Sequence, residues 1–430
     1  MDKETGRVGI KRYGGIIYEE FLPELRGIKG VRVYQEMADN DDVVGAILFA
    51  IKMLIRQAQW SVQPASNDEP DVEAAQFVES CMHDMQSTWT DTISEILSFL
   101  TYGWSVHEIV YKRRMGHKRD PQLESKFDDG LVGWQKLPIR GQESLYQWEF
   151  DERDNLTAFI QMPAPHFQII RIPVEKILLF RTESRKDNPE GRSILRNAYR
   201  SWFFKKRIQE IEGIGVERDL AGFPVLIAPE KYDVWNEANS GLLGMCNEFV
   251  RNIRRDAMEG LTLPSGWDLK LLSTGGKRQF DTSEIIKRYD RGIAQTVLAD
   301  FIFLGHESVG SFALSSDKTR LFSVAIGAFL DVIAETFTRK AIPALIDMNA
   351  KHFTRITDYP KLIYGDIETA NLKELGDFLK TVAELGLISP DAALEDYLRG
   401  QANLPERVEE GDDELPNSTG RLPRTDEDNP

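Results

Sequence analysis

Gly305-His306-Glu307-Ser308-Val309-Gly310-Ser311-Phe312-Ala313-Leu314-Ser315-Ser316 decides how the chain is read. Two glycines and a run of serines break regular structure here. On the N-terminal side, Ile286, Tyr289, Ile293, Val297, Phe301 and Leu304 recur at steps of three or four, so they line one face of a helix. On the C-terminal side, Asp317 and Lys318 open a second run in which Phe322, Ala325, Phe329, Val332 and Thr336 keep the helical step. From Lys318 to Ile346 that second helix would span about 43 Å at the rise of an α-helix. The stretch from about Ile285 to Met348 is therefore helix, glycine–serine loop, longer helix. The pattern fits a plain corner and equally a segment held out into a space.

The rest of the chain sets the frame. Its 430 residues suffice for two or three domains, and 41% hydrophobic content points to a folded protein. A net charge of −16 excludes an ordinary basic nucleic-acid binder. Part of the charge is local: 406–430 holds nine acidic and three basic residues with few apolar ones, and reads as a disordered acidic tail. The two cysteines, Cys81 and Cys246, have no paired spacing, which points to a reducing compartment and to neither a disulfide framework nor a zinc site. No apolar signal core opens the chain, and the most apolar run, 321–330, is too short to cross a bilayer.

In chain order, residues 1–38 read as an extended, glycine-punctuated arm with at most a small helix. Asp39-Asn40-Asp41-Asp42 offers caps to an amphipathic helix carrying Val44, Ile47, Leu48, Ile51, Leu54, Ile55 and Ala58. Trp60-Ser61-Val62-Gln63-Pro64 follows as a strand closed by proline. Helices are expected over Asp71–Met85 and after a cap at Thr90 or Asp91, the latter broken by Gly103. A strand covers Trp104–Tyr111, and others Val132–Lys136, Tyr146–Phe150, Leu156–Gln161, Phe167–Arg171 and Lys176–Arg181, which makes 60–182 an α+β domain with a largely antiparallel sheet. A long helix over Ile194–Glu217, a strand at Val225–Ala228, a helix over Asp233–Met258 and a hairpin from 261–264 with Trp267–Leu272 lead back to the opening stretch. Beyond it, Leu372, Leu375, Leu379, Val382 and Leu385 form a further helix, and Ser389-Pro390-Asp391 starts the last one. No internal repeat is present.

Catalytic motifs fail one by one. Gly275-Gly276-Lys277-Arg278 has Leu271 where a phosphate-binding loop needs its first glycine and Arg278 where it needs Ser or Thr. Ser308 is one place off the spacing of a nucleophile elbow. His107-Glu108 has Tyr111 where a zinc-protease helix needs its second histidine. The six histidines are scattered and no carboxylate pair stands out, so no catalytic residue, metal ligand or cofactor is assigned. Basic clusters at Lys112-Arg113-Arg114 with Lys118-Arg119, at Arg196, Arg200 and Arg207, and at Arg251, Arg254 and Arg255 fit solvated faces as well as phosphate or subunit contacts. The first of them is expected in a surface loop.

Three stretches taken in order carry a resemblance. They are Asp42-Val43-Val44-Gly45-Ala46-Ile47 through Trp60-Ser61-Val62-Gln63-Pro64; Ile96-Leu97-Ser98-Phe99-Leu100-Thr101-Tyr102-Gly103-Trp104 with Glu108-Ile109-Val110-Tyr111; and Gly191-Arg192-Ser193-Ile194-Leu195-Arg196 entering a long helix, with the helix–loop–helix after it. Gly386-Leu387-Ile388-Ser389 and Asn403-Leu404-Pro405 add to the set. In this order the chain resembles the portal proteins of tailed phages, in particular the Mu-like portal family. No single motif is diagnostic.

The resemblance implies a portal fold of the α+β class: an α/β wing, long stem helices, a small clip and a helical crown, assembling into a usually dodecameric ring. Mapped by order, 1–39 is an N-terminal arm and 40–182 the wing. Residues 183–304 are stem helices with the clip between them, and 305–317 is a tunnel loop. Residues 318–365 are a long helix and wing return, 366–405 the crown and 406–430 the tail. The implied function is that of a non-enzymatic conduit for double-stranded DNA during packaging and ejection, at one capsid vertex of the virion and in the host cytoplasm during assembly. The implied partners are further copies of the chain, the terminase large subunit, the major capsid and scaffold proteins and the head–tail adaptor proteins, with no membrane. Two other readings stay open, namely a different ring-forming head–tail connector and a nucleic-acid-processing hydrolase.

One expectation comes from the residues themselves. A loop that grips DNA should carry Lys or Arg, because phosphate neutralisation dominates affinity. The loop Gly305, His306, Glu307, Ser308, Val309, Gly310, Ser311 and Phe312 carries neither; it offers hydroxyls, small apolar groups and Glu307. It is expected to let duplex pass with low friction, with Lys318 and Arg320 making at most transient phosphate contacts. A dodecamer at −16 per copy would favour the same behaviour.

Overall fold

A computed structural model describes residues 6–118, 120, 123–221, 223–252, 262–272, 281–297 and 312–365; for 217–221, 223, 252, 271, 272 and 312–321 it describes the backbone alone. The chain divides into two compact units, 1–367 and 368–430. The described residues all belong to the first.

The arm is more regular than its sequence suggests. After a short hairpin, β1 (Arg12–Tyr13) and β2 (Ile16–Ile17), the chain forms the 14-residue helix α1 (Gly27–Asn40), not an extended run. Val31, Tyr34 and Met37 bury one face of it. One of its glycines, which read as punctuation, serves a close approach: a Cβ on Gly30 would lie 2.2 Å from the Leu25 carbonyl oxygen. Asp41 then caps α2 (Asp42–Gln57), accepting the N–H groups of Val43 and Val44 at 3.1 and 3.0 Å, as the acidic run before the helix leads one to expect.

Next come β3 (Trp60–Gln63), α3 (Glu69–His83), α4 (Trp89–Ile96) and α5 (Ser98–Tyr102). The cap of α4 is Thr88, whose hydroxyl accepts from Asp91 N at 3.0 Å, two residues ahead of the expected start. Gly103 ends α5 in the left-handed region (φ +94°), pressed so closely by the backbone of Glu190, Arg192 and Ser193 that no side chain fits.

The single strand expected over 104–111 is two, β4 (Trp104–Glu108) and β5 (Val110–Arg113), which break at Ile109 and enter different sheets. β5 pairs with β6 (Val132–Lys136), whereas β4 lies between β7 (Ile139–Arg140) and β11 (Ile177–Arg181). A third sheet holds β8 (Leu145–Phe150), β9 (Leu156–Gln161) and β10 (Ile170–Pro173), the last starting three residues later than Phe167 suggests. All the paired strands are antiparallel. The β4–β11 pair is buried on both sides because two cores flank it. Trp104, Val106 and Ile177 face a smaller core with Trp148 and Phe159, while Leu178 and Phe180 face the main one.

The chain then leaves this sheet-rich body. A 3-10 turn at Ile194–Arg196 precedes α6 (Tyr199–Ala221), where one continuous helix was expected. A small lobe follows with β12 (Phe223–Ile227), α7 (Ser240–Asn252) and β13 (Asp268–Leu272). β13 pairs with β12, not with 262–264, which take no strand conformation. α8 (Thr282–Thr296) returns along α6.

α9 (Phe312–Thr336) starts five residues before Asp317, so Phe312–Ser316 belong to a helix rather than to the expected loop. Serine is only a few tenths of a kcal/mol worse than the better helix formers, so two serines do not stop a helix of this length. α9 continues through a π-turn at Phe337–Ala341 into α10 (Ile342–Met348). Pro343 lies just beyond the π-turn; it has no N–H to give to a regular ladder, and the wider turn absorbs the defect. Phe322, Ile326, Leu330, Ile333, Phe337 and Leu345 run along the buried face and place this helix at the centre of the main core. β14 (Lys361–Tyr364) then pairs with β3 and brings the chain back to the body.

Candidate functional site

In sequence the candidate loop falls between α8 and α9, and α8 is held by the residues around Lys205. α8 begins on Asp281, which accepts from Ser283 N and Glu284 N, and it lies against α6 with Phe204 stacked on Tyr289 at 6.2 Å. At the centre of this pair is Lys205, only 1% exposed. Its Nζ lies 3.0 Å from Asp41 Oδ2, 2.7 Å from Asp42 Oδ1 and 2.7 Å from Asp290 Oδ1. Burial disfavours the Lys205 charge, but the carboxylates of Asp290, Asp42 and Asp41 outweigh it and raise its pKa. Burial raises the pKa of Asp290 despite the lysine beside it, and Lys205 lowers that of Asp42. The Asp290 oxygen lies off a hydrogen-bonding direction, so that contact is ionic. One ammonium thus ties α6, α8 and the cap of α2 together. The sequence hides this, because Lys205 sits in a basic run, Lys205-Lys206-Arg207, that looks solvated.

Of the candidate loop itself, Gly305, His306, Glu307, Ser308, Val309, Gly310 and Ser311 lie outside the described residues. Phe312 is the first residue of α9. Lys318 and Arg320 are on the same helix within its first nine residues. Gly275–Arg278, the residues after Gly365 and the acidic tail also lie outside the described residues.

The first basic cluster divides: Arg113 and Lys118 are exposed, as a surface loop predicts, Arg119 lies outside the described residues, and Lys112 and Arg114 are buried. Lys112 and Arg114 are 4% and 3% exposed. Lys112 pairs with Asp84 at 3.1 Å, and Arg114 pairs with Asp129 at 2.6 Å while its guanidinium covers the Phe127 ring at 3.9 Å. Burial pushes Asp84 up, but the Lys126 N–H, the Ser125 hydroxyl and Lys112 together bring its pKa below the usual carboxylate range. Lys112 and Arg114 thus form a packed ionic joint between the C-terminal end of α3 and the end of β5. Arg196 is likewise engaged, holding Glu20 of the arm through two bonds of 2.6 and 2.7 Å.

His107 is fully buried, with Nδ1 2.8 Å from the Leu137 carbonyl and its ring edge-on to Phe180; burial lowers its pKa to about 4. It is a core residue, neutral near pH 7. Among the described residues, no group of three or more His, Cys, Asp or Glu side chains could hold a metal ion. Also among them, no helix is long and apolar enough to cross a membrane.

A second feature escaped the sequence. The arm roofs a cavity of about 750 Å³ over Tyr34, Trp104, Trp148 and Glu190. Burial raises the Glu190 pKa to about 7, against the single donor it has, Trp148 Nε1 at 3.2 Å.

These elements define a class: a sheet-rich body threaded by one long helix, with a helix pair, α6 and α8, that carries a small lobe. The family model for the portal protein of Mu bacteriophage matches residues 31–404, and the chain belongs to that family. The fold is also that of a chain in the virion of a native gene transfer agent particle, with TM-score 0.53 and 10% identity over 92% of this chain and 96% of that one. A chain in the neck of an empty particle of the same kind gives TM-score 0.50 and 12% identity over 92% and 96%. A portal protein of the HK97 phage family from Corynebacterium diphtheriae matches with TM-score 0.42 and 10% identity, over 77% of this chain and 94% of that one.

Proposed function

We propose that the protein forms the portal ring at one capsid vertex and conducts double-stranded DNA during packaging and ejection. In this reading α6 and α8 are the stem, the β12–β13 lobe is the clip that meets the terminase large subunit, and the segment between α8 and α9 is the tunnel loop. Head–tail adaptor proteins take the clip after packaging, while capsid and scaffold proteins surround the wing. What carries the reading is the family match over residues 31–404, which spans the body, the helix pair and the loop together.

The arrangement suits a conduit. The loop without Lys or Arg is strung between a helix clamped by Lys205 and a helix embedded in the main core. It can be held in place while its residues offer moving phosphates little to grip. The class of the protein supports a structural rather than a catalytic role.

Two measurements test this. Native mass and negative-stain images of the protein, alone and with capsid and scaffold proteins, should show a closed ring; a monomer under every condition contradicts the proposal. Glu307→Lys with Ser308→Lys should reduce packaged DNA length or slow ejection. Unchanged packaging and release would mean that the loop does not face the channel.

A further inference from the structure

The cavity under the arm holds a carboxyl group that nothing around it neutralises. Its volume of about 750 Å³ is in the range of small-molecule sites. Ile17, Leu25, Tyr34, Trp104 and Trp148, all buried side chains, line it together with Glu190. The other lining carboxylates have cations: Glu19 has Lys186, Glu20 has Arg196 and Glu183 has Arg185. Glu190 has only Trp148 Nε1, 3.2 Å from its Oε1, and no cation among the described residues. The remaining lining arginines are directed elsewhere, Arg192 to Asn197 and Arg26 to the carbonyls of Glu20 and Phe21.

The backbone fixes this carboxyl in place. Gly191 (φ +55°) meets Gly103 so closely that a Cβ on it would lie 2.2 Å from Gly103 O, and Asn188 Oδ1 accepts the Glu190 N–H at 3.0 Å. The roof is fixed as well: Trp148 N donates to Gly15 O at 3.0 Å, and the Lys186–Glu19 and Arg196–Glu20 pairs tie down the arm. A glutamine would accept the Trp148 N–H equally well without a charge to desolvate, so that hydrogen bond does not account for an acid at this position.

We propose that this cavity binds a small aliphatic amine in its ammonium form, with Glu190 as the counter-ion and the apolar walls around the methylene chain. The ammonium supplies the cation that the carboxylate lacks, and a charge-assisted bond out of bulk water is stronger than one at the surface. The walls add the burial of the chain. A metal ion fits less well, because among the described residues no three His, Cys, Asp or Glu side chains converge. The site lies within one protomer and does not depend on the portal reading.

The test is isothermal titration of the full chain at pH 8, above the Glu190 pKa of about 7, with n-butylammonium chloride as the probe. n-Butanol and butyrate serve as the neutral and anionic probes of similar length. Butylammonium should bind about tenfold or more tightly than butanol, and butyrate should show no binding. Glu190→Gln should abolish the preference for the cation, and thermal melts of the same sample should show it folded. Glu335→Gln, which removes an exposed carboxylate on α9, should leave the affinity unchanged. Three results overturn the inference: no butylammonium binding up to about 50 mM, equal binding of butanol, or a folded Glu190→Gln variant that binds the cation like the wild type. Each of them leaves the portal reading standing.

Discussion

The sheet-rich body and the α6–α8 arm with its lobe are built by opposite rules. In the body, large side chains find partners within the chain. Phe337 is 1% exposed and meets Trp89, Phe180 and Trp134 at ring distances of 5.0, 5.9 and 6.0 Å. In the second region, large apolar groups face outward: Trp235 is 80% exposed, Met245 69%, Ile211 62% and Ile214 50%. Two-stranded sheets are marginal by themselves, and β12–β13 has α7 as its helical neighbour. The body also leaves large apolar groups outside, Phe21 at 82% and Phe49 at 64%, but they surround a core of buried rings. What distinguishes the α6–α8 region is how few of its side chains are buried at all.

The contrast can be broken most directly at Phe337. Phe337→Ala should cost about 3–5 kcal/mol of unfolding free energy in urea titrations, because three ring contacts and the π-turn side chain leave a cavity. A loss below about 1 kcal/mol would mean that the body is not organised on α9. Lys205→Met should cost about 3 kcal/mol, since Asp41 and Asp290 would keep buried charge without a counter-ion. Adding Asp290→Asn should recover part of that loss, whereas a solvated Lys205 would show no recovery.

Glu190 gives a smaller, pH-dependent effect. Burial in the folded protein raises its pKa to about 7, above the ordinary glutamate value of 4.5. The folded state therefore binds the proton more tightly, and its contribution is full below pH 4.5 and lost as pH rises through about 7. Glu190→Gln should flatten that decline and make the protein more stable at pH 8, on the order of 1 kcal/mol. Thermal melts across that range read it out, and parallel curves for the two proteins would refute it. The smallest effect is expected in the second region: Ile211→Ser should change unfolding free energy by less than about 0.5 kcal/mol, because the side chain is already in water. A larger loss would show that the Ile211 side chain packs against something in the protomer.

Legibility followed the range of the forces involved. The amphipathic face of α2, its aspartate cap and most strands were legible because caps and periodicity act over a few residues. So was the absence of cations from 305–312. The break at Ile109 was not, since β4 and β5 are pulled apart by partners distant in sequence, Ile177–Arg181 and Val132–Lys136. The helical start at Phe312 was masked by serines that punctuate loops but do not forbid helices.

By itself, then, the sequence determined the helices on either side of residue 305, the α+β character and the order of elements that marks the family. Tertiary structure alone decided which charges are structural. Lys112, Arg114 and Lys205 look like a solvated surface in one dimension and prove to be buried joints, while Arg113 and Lys118, from the same run as two of them, stay exposed. The physical reason is that a charge's role depends on whether its counter-ions and its water are present. Those neighbours come from segments such as Asp41 and Asp290, which only folding brings to Lys205.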